Sequence, residues 1–472
     1  MSLPQIIQGG MGVAVSDWTL ANAVSKLGQL GVVSGTALDA VLARRLQMGD
    51  PGGHVRQALA HFPFPAIAER VYNAYFVDGG KSAEQPFKAV PMFSAKPSQN
   101  LLELTVLANF VEVFLAKVGH AGQVGINFLE KIQMPTLPSI FGAILAGVDY
   151  ILMGAGIPRA IPGIIDDMVA GKAVKLKLDV EGAEPGEEFP CTFDPHAFCG
   201  GKLPALTRPM FVAIISSATL ALTLARKSTG HVDGFIVEGA TAGGHNAPPR
   251  GLMQFSEIGE PVYGPRDIPD LQKIKEIGLP FWLAGSFGRP GKLAEALETG
   301  AVGVQVGTAF AFCEESGIRP EIKREIIERS RKGTLRVFTD PLASPTGFPF
   351  KVLQLEGTMS DAKVCAERTR ICDLGYLRHP YRKDDGTLGY RCPAEPVANY
   401  IRKGGAEQSV VGRKCVCNGL LSTIGLPQTQ AEGYVEHALL TAGDDAADVA
   451  QFVPAGRDTY TAADVIERLL KV

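Results

Sequence analysis

The sequence has no excess of either charge, and this limits the partners that the chain can bind. Its 472 residues include 46 Lys and Arg against 49 Asp and Glu, which gives a formal net charge of −3. Because no basic field is present, we expect neither nucleic acid nor a membrane as a partner. Hydrophobic residues at 46% and charged residues at 20% instead describe a soluble globular chain with a sizeable core.

Cysteine is too sparse for a disulfide framework, and long apolar runs are missing. The chain has eight cysteines, five of them in one late region. One of the longest uncharged stretches lies between Arg208 and Arg226, and its hydroxyl side chains are typical of a buried strand and helix rather than a bilayer span. No basic leader or cleavage-like site comes before the first apolar strand. We therefore expect a cytoplasmic protein.

Eight apolar runs, each followed by glycine and then by a helical pattern, dominate the first 310 residues or so. Continuous hydrophobicity predicts strands buried on both faces, as in a parallel sheet covered by helices. Eight such units favour an α/β fold of the closed TIM (β/α)₈ barrel type over an open doubly wound sheet. The predicted strands are 6–10, 31–35, 124–128, 149–154, 211–215, 234–239, 280–285 and 302–306.

The barrel is predicted to span residues 1–335, with insertions near 49–97 and 174–207. We expect the first insertion to be irregular. In the second, Lys175 and Lys177 alternate with apolar residues, which predicts a solvent-facing hairpin. The repeated βα pattern is absent from residues 336–472, which are instead rich in prolines and polar side chains. We expect a mostly helical and irregular C-terminal extension that packs on the barrel.

Glycine-rich loops at the ends of the last two predicted strands favour an anion site. Residues 284–288 follow the seventh strand, and residues 305–308 follow the eighth. Glycine lets backbone N–H groups approach an anion, and a following helix N-terminus adds a favourable dipole. Loops after strands seven and eight of TIM barrels commonly hold a phosphate, which favours this hypothesis over plain tight turns.

A histidine stands in the loop after the sixth strand. The run Ala242-Gly243-Gly244-His245 lies within the glycine-rich segment 238–251. A histidine in such a loop can face a cavity, where its near-neutral pKa suits proton transfer or polarisation of a substrate oxygen. The alternative is an ordinary loop or core histidine.

Together these motifs resemble the nitronate monooxygenase family, formerly called 2-nitropropane dioxygenase. That family shares an FMN-binding barrel with flavin-dependent enoyl-thioester reductases. The resemblance follows the right order over about the first 320 residues and does not include the insertions or the extension. The motifs that carry it are residues 8–12, 124–127, 242–245, 284–286 and 304–308.

The resemblance implies an FMN over the strand ends, with His245 as the catalytic side chain facing the substrate. Ser286 stands where relatives often have glycine, and Pro248 and Pro249 follow the histidine where many relatives soon have a glycine. The residues expected to contact FMN are Gly9, Gly10, Met11, Asn127, Gly243, Gly244, Ala284, Gly285, Ser286, Gln305, Gly307 and Thr308.

The implied activity is oxidation of alkyl nitronates or nitroalkanes with O₂ to a carbonyl compound and nitrite. His245 would act as base on a nitroalkane or hold the nitronate. The alternative is NAD(P)H-dependent reduction of an enoyl thioester of acyl carrier protein or CoA, in lipid or polyketide biosynthesis. A third hypothesis is a flavin-binding interaction protein whose extension docks a partner enzyme. The expected partners are a small-molecule substrate with O₂ or NAD(P)H, and a homo-oligomer is left open.

The five late cysteines raise a separate question. Four thiolates of this group could hold Zn²⁺ or an iron–sulfur cluster. The spacings lack the paired Cys-x₂-Cys elements of such sites, so buried free thiols are the favoured alternative, and we assign no metal ligand. The group consists of Cys365, Cys372, Cys392, Cys415 and Cys417.

Overall fold

The structure is a computed structural model that describes residues 3–471, and its centre is a barrel of eight parallel strands. The barrel strands follow the order β1-β10-β9-β8-β7-β4-β3-β2. The strands are β1 Ile6–Gln8, β2 Gly31–Ser34, β3 Val124–Leu129, β4 Tyr150–Gly154, β5 Val174–Lys177, β6 Pro190–Phe193, β7 Met210–Ile215, β8 Gly234–Glu238, β9 Phe281–Ala284, β10 Gly303–Val306, β11 Val337–Asp340, β12 Phe350–Leu353, β13 His379–Arg382 and β14 Leu388–Arg391.

Leu30, just before β2, brings the two ends of this sheet together. The Gln8 amide donates to the Leu30 carbonyl at 2.9 Å, and the Leu30 amide donates to the Ile6 carbonyl at 3.1 Å. The predicted TIM barrel is therefore confirmed. As in other barrels of this type, the interior is filled by side chains rather than open. This inner cluster consists of Ile7, Leu30, Val32, Tyr150, Leu152, Val212, Ile236, Trp282 and Ala284.

Helices surround the barrel and also occupy the first insertion. The prediction of an irregular segment at 49–97 is wrong in part, because helices α3 and α4 form there. Helix α4 has a proline in its first turn, a position where proline is compatible with the start of a helix. The helices are α1 Trp18–Lys26, α2 Leu38–Gln47, α3 His54–Leu59, α4 Pro65–Tyr75, α5 Gln99–Lys117, α6 Thr136–Leu145, α7 Ile161–Val169, α8 Pro195–Phe198, α9 Ala218–Lys227, α10 Leu271–Lys275, α11 Lys292–Glu298, α12 Thr308–Ala311, α13 Pro320–Arg331, α14 Ala362–Glu367, α15 Val397–Arg402, α16 Val416–Thr423 and α17 Ala462–Leu470.

The second insertion contains the predicted hairpin. Strands β5 and β6 pair antiparallel, from Val174 opposite Phe193 to Lys177 opposite Pro190. Along β5 the buried and exposed side chains alternate, with Lys175 and Lys177 exposed. This alternation is what a two-stranded ribbon with one covered face requires.

The C-terminal extension packs against the barrel and shares its hydrophobic core. Side chains of 438–469 belong to the same buried cluster as the barrel helices. Besides helices, the extension forms two antiparallel ribbons, β11 with β12 and β13 with β14. The prediction of a mostly helical and irregular extension did not include these strands. Inside it, Arg368 and Glu436 form a buried two-point ion pair with N–O distances of 2.7 and 2.5 Å. The domain boundary at 335/336 stays a prediction.

Helix α5 is long and apolar enough to cross a membrane by length and composition. Most of its surface is buried among other helices, and it packs against α1, α2 and α6. A buried core helix passes the same test, so α5 is weak evidence for a membrane span. The cytoplasmic location stays a prediction.

Candidate active site

Three adjoining cavities lie at the carboxyl ends of the barrel strands. The end cavity, beside the loops after β9 and β10, encloses about 130 Å³. The inner cavity, over the ends of β1, β3 and β8, encloses about 160 Å³. The outer cavity, beside the loops after β4, β7 and β8, encloses about 520 Å³. Glu238 lines all three, so they form one continuous cleft.

Every residue that the sequence predicted for the site lines this cleft. The residues expected at the phosphate line the end cavity, and Asn127 and His245 line the inner cavity. His245 also faces the outer cavity. The predicted residues at the end cavity are Gly9, Gly10, Met11, Gly243, Gly244, Ala284, Gly285, Ser286, Gln305, Gly307 and Thr308. A further open groove of about 980 Å³ lies away from the strand ends, between α7 and the hairpin.

The glycines after β1 allow two amide side chains to lie against the backbone. A Cβ on Gly10 would fall 2.4 Å from Asn127 Cβ, and one on Gly9 would fall 3.2 Å from Gln305 Cγ. Asn127 Oδ1 and Gln305 Oε1 are buried without a hydrogen-bond partner among residues 3–471. Since buried polar atoms are normally paired, these two amides are suited to a bound ligand.

The loop after β9 turns sharply and leaves most of its amides free of backbone acceptors. Gly285 has φ 96° and Ser286 has φ 57°, so Ser286 holds a left-handed conformation that favours glycine. Within residues 3–471 the backbone N–H groups of 286–288 donate to no backbone carbonyl, whereas the strand register directs the Gly285 N–H at the Gln305 carbonyl. The amides of 286–288 can therefore take an anion. Helix α12 has four residues, so the helix dipole expected after β10 contributes little.

The C-terminal extension closes the end cavity. Thr441, Ala442 and Asp445 line it beside the loops of the barrel. The Gly443 amide donates to Thr308 Oγ1 at 2.9 Å, which uses one acceptor position of a hydroxyl that the sequence had assigned to the cofactor. The site is therefore built by both parts of the chain.

His245 is held by the extension as well. Its Nε2 lies 2.6 Å from Ser344 Oγ, and its ring centroid lies 4.7 Å from that of Phe350. The backbones on either side are also joined, because the Lys351 amide donates to the Gly244 carbonyl at 3.0 Å. Burial lowers the pKa of His245 to about 4, so the imidazole is neutral at pH 7. A neutral imidazole can donate one hydrogen bond and accept another.

Glu238 is the acidic side chain that the three cavities share. It ends β8, seven residues before His245. Burial raises the pKa of this carboxyl group to about 7, and no hydrogen bond or ion pair to the protein offsets the effect. A carboxyl group that titrates near neutral pH in a cleft is typical of a functional site.

Four residues that line the cleft or contact its side chains were missed by sequence reasoning. Glu238 had a signal, since a carboxylate at the end of a barrel strand is expected to face the site. Ser344, Thr441 and Asp445 had none, because they lie about 100 to 200 residues beyond the loops that they contact. Such contacts depend on the folded extension and not on a local pattern.

The structure gives no support for a metal at the five late cysteines. Among the residues that the structure describes, no three His, Cys, Asp or Glu side chains are grouped to hold an ion. The thiols of Cys372 and Cys392 contact each other, and Asn418 Nδ2 lies 3.6 Å from Cys415 Sγ. Burial raises the pKa of Cys415 to about 11, which keeps it protonated. The alternative of Zn²⁺ or an iron–sulfur cluster is therefore not supported, and the favoured alternative of free thiols agrees with the structure.

Comparison with known proteins supports the class that fold and cleft define, a flavin-dependent oxidoreductase barrel. The family profile described as nitronate monooxygenase matches residues 205–342. This segment runs from before β7 through β11, and it contains His245 and both anion loops. The resemblance to the nitronate monooxygenase family is therefore confirmed over this part of the chain.

Two curated relatives share the name (3aS,4S,5R,7aS)-5-hydroxy-7a-methyl-1-oxo-octahydro-1H-indene-4-carboxyl-CoA dehydrogenase. The protein from Mycobacterium tuberculosis (strain ATCC 25618 / H37Rv) is 30% identical over 155 residues, 33% of this chain and 39% of the relative. The protein from Rhodococcus jostii (strain RHA1) is 27% identical over 133 residues, 28% of this chain and 33% of the relative. The similarity thus spans well under half of each relative.

Similar solved structures include FabK from Thermotoga maritima, at 16% identity and a TM-score of 0.49, covering 99% of this chain and 92% of that one. They also include nitroalkane oxidase from Streptomyces ansochromogenes, at 15% identity and a TM-score of 0.45, covering 98% and 94%.

Proposed function

We propose that this chain is an FMN-dependent oxidoreductase of the nitronate monooxygenase type, which oxidises alkyl nitronates or nitroalkanes with O₂ to a carbonyl compound and nitrite. The observation that carries the proposal is the cleft itself. It joins an anion-binding loop, two unpartnered amide side chains and the neutral imidazole of His245. The family profile that matches residues 205–342 supports the same reading.

The residues of the cleft fit FMN at both of its ends. The amides of 286–288 suit the phosphate, with Gly307 beside them. Asn127 and Gln305 offer unpaired amide oxygens that can accept from the N–H group of a flavin ring, and Gly9 and Gly10 leave room for these side chains. When bound, FMN supplies the transfer of electrons from substrate to O₂.

His245 and its neighbours bind and orient the substrate. A pKa of about 4 makes the imidazole a weak base, so we assign it the role of holding a nitronate oxygen through an N–H hydrogen bond. Ser344 fixes the ring by its bond to Nε2. Glu238 is protonated below about pH 7 and then adds no negative charge beside an anionic substrate.

The size of the outer cavity favours a second candidate function. Its volume of about 520 Å³ lies within the range of roughly 300–1,000 Å³ that is typical of drug-sized ligands. A small nitronate would fill a minor part of it. Reduction of an enoyl thioester with NAD(P)H would use the space, and the names of the two curated relatives include a CoA thioester.

Two assays on the purified protein separate these functions. Oxygen uptake with an alkyl nitronate in the absence of nicotinamide supports the first. Oxidation of NAD(P)H that depends on an enoyl thioester supports the second. If His245→Ala retains flavin and biological effect but neither activity is found in the parent protein, the chain is an interaction protein instead.

A further inference from the structure

The extension places a carboxylate in the cavity where the cofactor phosphate is expected. Asp445 lines the end cavity, and its Oδ2 lies 2.9 Å from the position that a Cβ on Gly288 would occupy. The residue is 8% exposed. The Thr308 hydroxyl donates to this carboxylate while it accepts from the Gly443 amide. A phosphate on the amides of 286–288 would therefore share its cavity with Asp445.

Several bonds fix the segment that carries Asp445, so the carboxylate cannot move aside freely. The buried ammonium of Lys351 binds Asp444 at 2.6 Å. The remaining bonds run from the Gly244 amide to Thr441 Oγ1 at 2.9 Å, from the Gly443 amide to Thr308 Oγ1 at 2.9 Å, and from the Asp444 amide to the Thr241 carbonyl at 3.1 Å.

The charges around Asp445 do not neutralise it. Burial has the largest effect on the pKa of the Asp445 carboxyl group and raises it. The hydrogen bond from Thr308 and the charge of Arg289 lower this pKa in part. Arg289 is bound to Asp448 at 2.5 Å and makes no ion pair with Asp445. Three other titratable groups lie around this carboxyl group. Asp444 is paired with Lys351, Tyr460 is buried, and Glu238 lines the same end cavity.

We propose that Asp445 faces the anionic end of the cofactor and makes FMN retention depend on a proton shared by its carboxyl group and the phosphate. This inference rests on the proposed function, because it takes FMN as the ligand. With the proton present, the carboxyl group donates to a phosphate oxygen; without it, two anions lie together in a buried site and repel. A phosphate monoester loses its second proton at about pH 6, so affinity falls as pH rises from about 6 to 8.

The test compares FMN with riboflavin, which lacks the phosphate. Dissociation constants are measured by flavin fluorescence on the apoprotein at pH 6, 7 and 8. Since Glu238 also titrates in this cleft, riboflavin reports its effect alone, and we expect the Kd for FMN to rise about tenfold more than the Kd for riboflavin over this range. In Asp445→Asn the FMN curve becomes parallel to the riboflavin curve, and FMN binding at pH 8 becomes tighter. The control Asp458→Asn changes a carboxylate of the extension whose side chain is 90% exposed and pairs with Arg331, and it keeps the wild-type slope.

Two outcomes overturn the inference. The first is a Kd for FMN that does not change with pH. The second is a Kd that changes in parallel for FMN and riboflavin. Both leave the proposed function standing, because flavin still binds. Failure of the apoprotein to bind either flavin overturns the proposed function and this inference together. The wild-type comparison needs no variant, so it holds even if Asp445→Asn does not fold.

Discussion

Ser344 of the C-terminal extension lies 2.6 Å from Nε2 of His245 in the barrel, across 99 residues of sequence. Thr346 bonds to Ser344 in turn, with 2.9 Å between the two hydroxyl oxygens. The side chain that faces the substrate is therefore oriented by a part of the chain outside the predicted barrel. Two variants can separate the role of the imidazole from that of its support.

His245→Gln is expected to lower turnover by about 10²-fold or more, because an orienting or proton-transferring group is lost. Flavin content stays unchanged, since the residue lines the inner cavity but not the anion loops. Ser344→Ala is expected to lower turnover roughly three- to tenfold, the size of one hydrogen bond. Thr299→Ala removes a remote hydroxyl that bonds within its own turn and serves as control. Equal activity in Ser344→Ala and wild type contradicts the orienting role.

Activity should not decline through protonation of His245 until the pH approaches its pKa of about 4. Burial depresses this pKa, so the neutral imidazole persists as the pH falls through 6.5, where an ordinary histidine becomes charged. The measurement is kcat against pH from 8 to 4.5. An acid limb centred near 6.5 that persists in Glu238→Gln contradicts the assignment of a neutral His245.

Glu238→Gln is expected to stabilise the apoprotein at pH 8 and to change little at pH 4. The pKa of Glu238 is raised from 4.5 to about 7 by burial, so the folded state binds more protons than the unfolded state between these values. Stability is therefore lost as pH rises through this window, by at most about 3 kcal/mol. Urea unfolding of both proteins at pH 4, 6 and 8 measures the difference. A constant difference across this range means that the carboxyl group titrates normally.

Gly10→Ala is expected to weaken FMN binding by an order of magnitude or more, because the added Cβ would lie 2.4 Å from Asn127 Cβ and push that side chain out of place. Gly264→Ala is the matched control, since its Cβ meets nothing within 4 Å and its φ is −123°. Fluorescence titration with FMN gives both affinities, and thermal unfolding shows that both variants fold. Similar affinities would mean that Asn127 does not contact the flavin.

The barrel and most of its cleft could be predicted from sequence because their signals are local. Apolar runs mark the strands, and the glycines beside Asn127 and Gln305 mark where side chain or ligand meets backbone. The contributions of Ser344 and Asp445 could not be predicted, because each reaches the cleft through long-range packing of the extension. The helices α3 and α4 were missed although the buried residues of α4, Ile67, Ala68 and Val71, have helical spacing. Helix α3 is only six residues long, and both helices pack on α2 and α5.

The most direct test of the account is flavin binding by the purified chain, followed by the visible absorption spectrum before and after reconstitution of apoprotein with FMN. The account predicts the absorption bands of oxidised flavin at about one FMN per chain, and loss of binding when the loop 285–288 is altered. A colourless protein that takes up neither FMN nor riboflavin would contradict it.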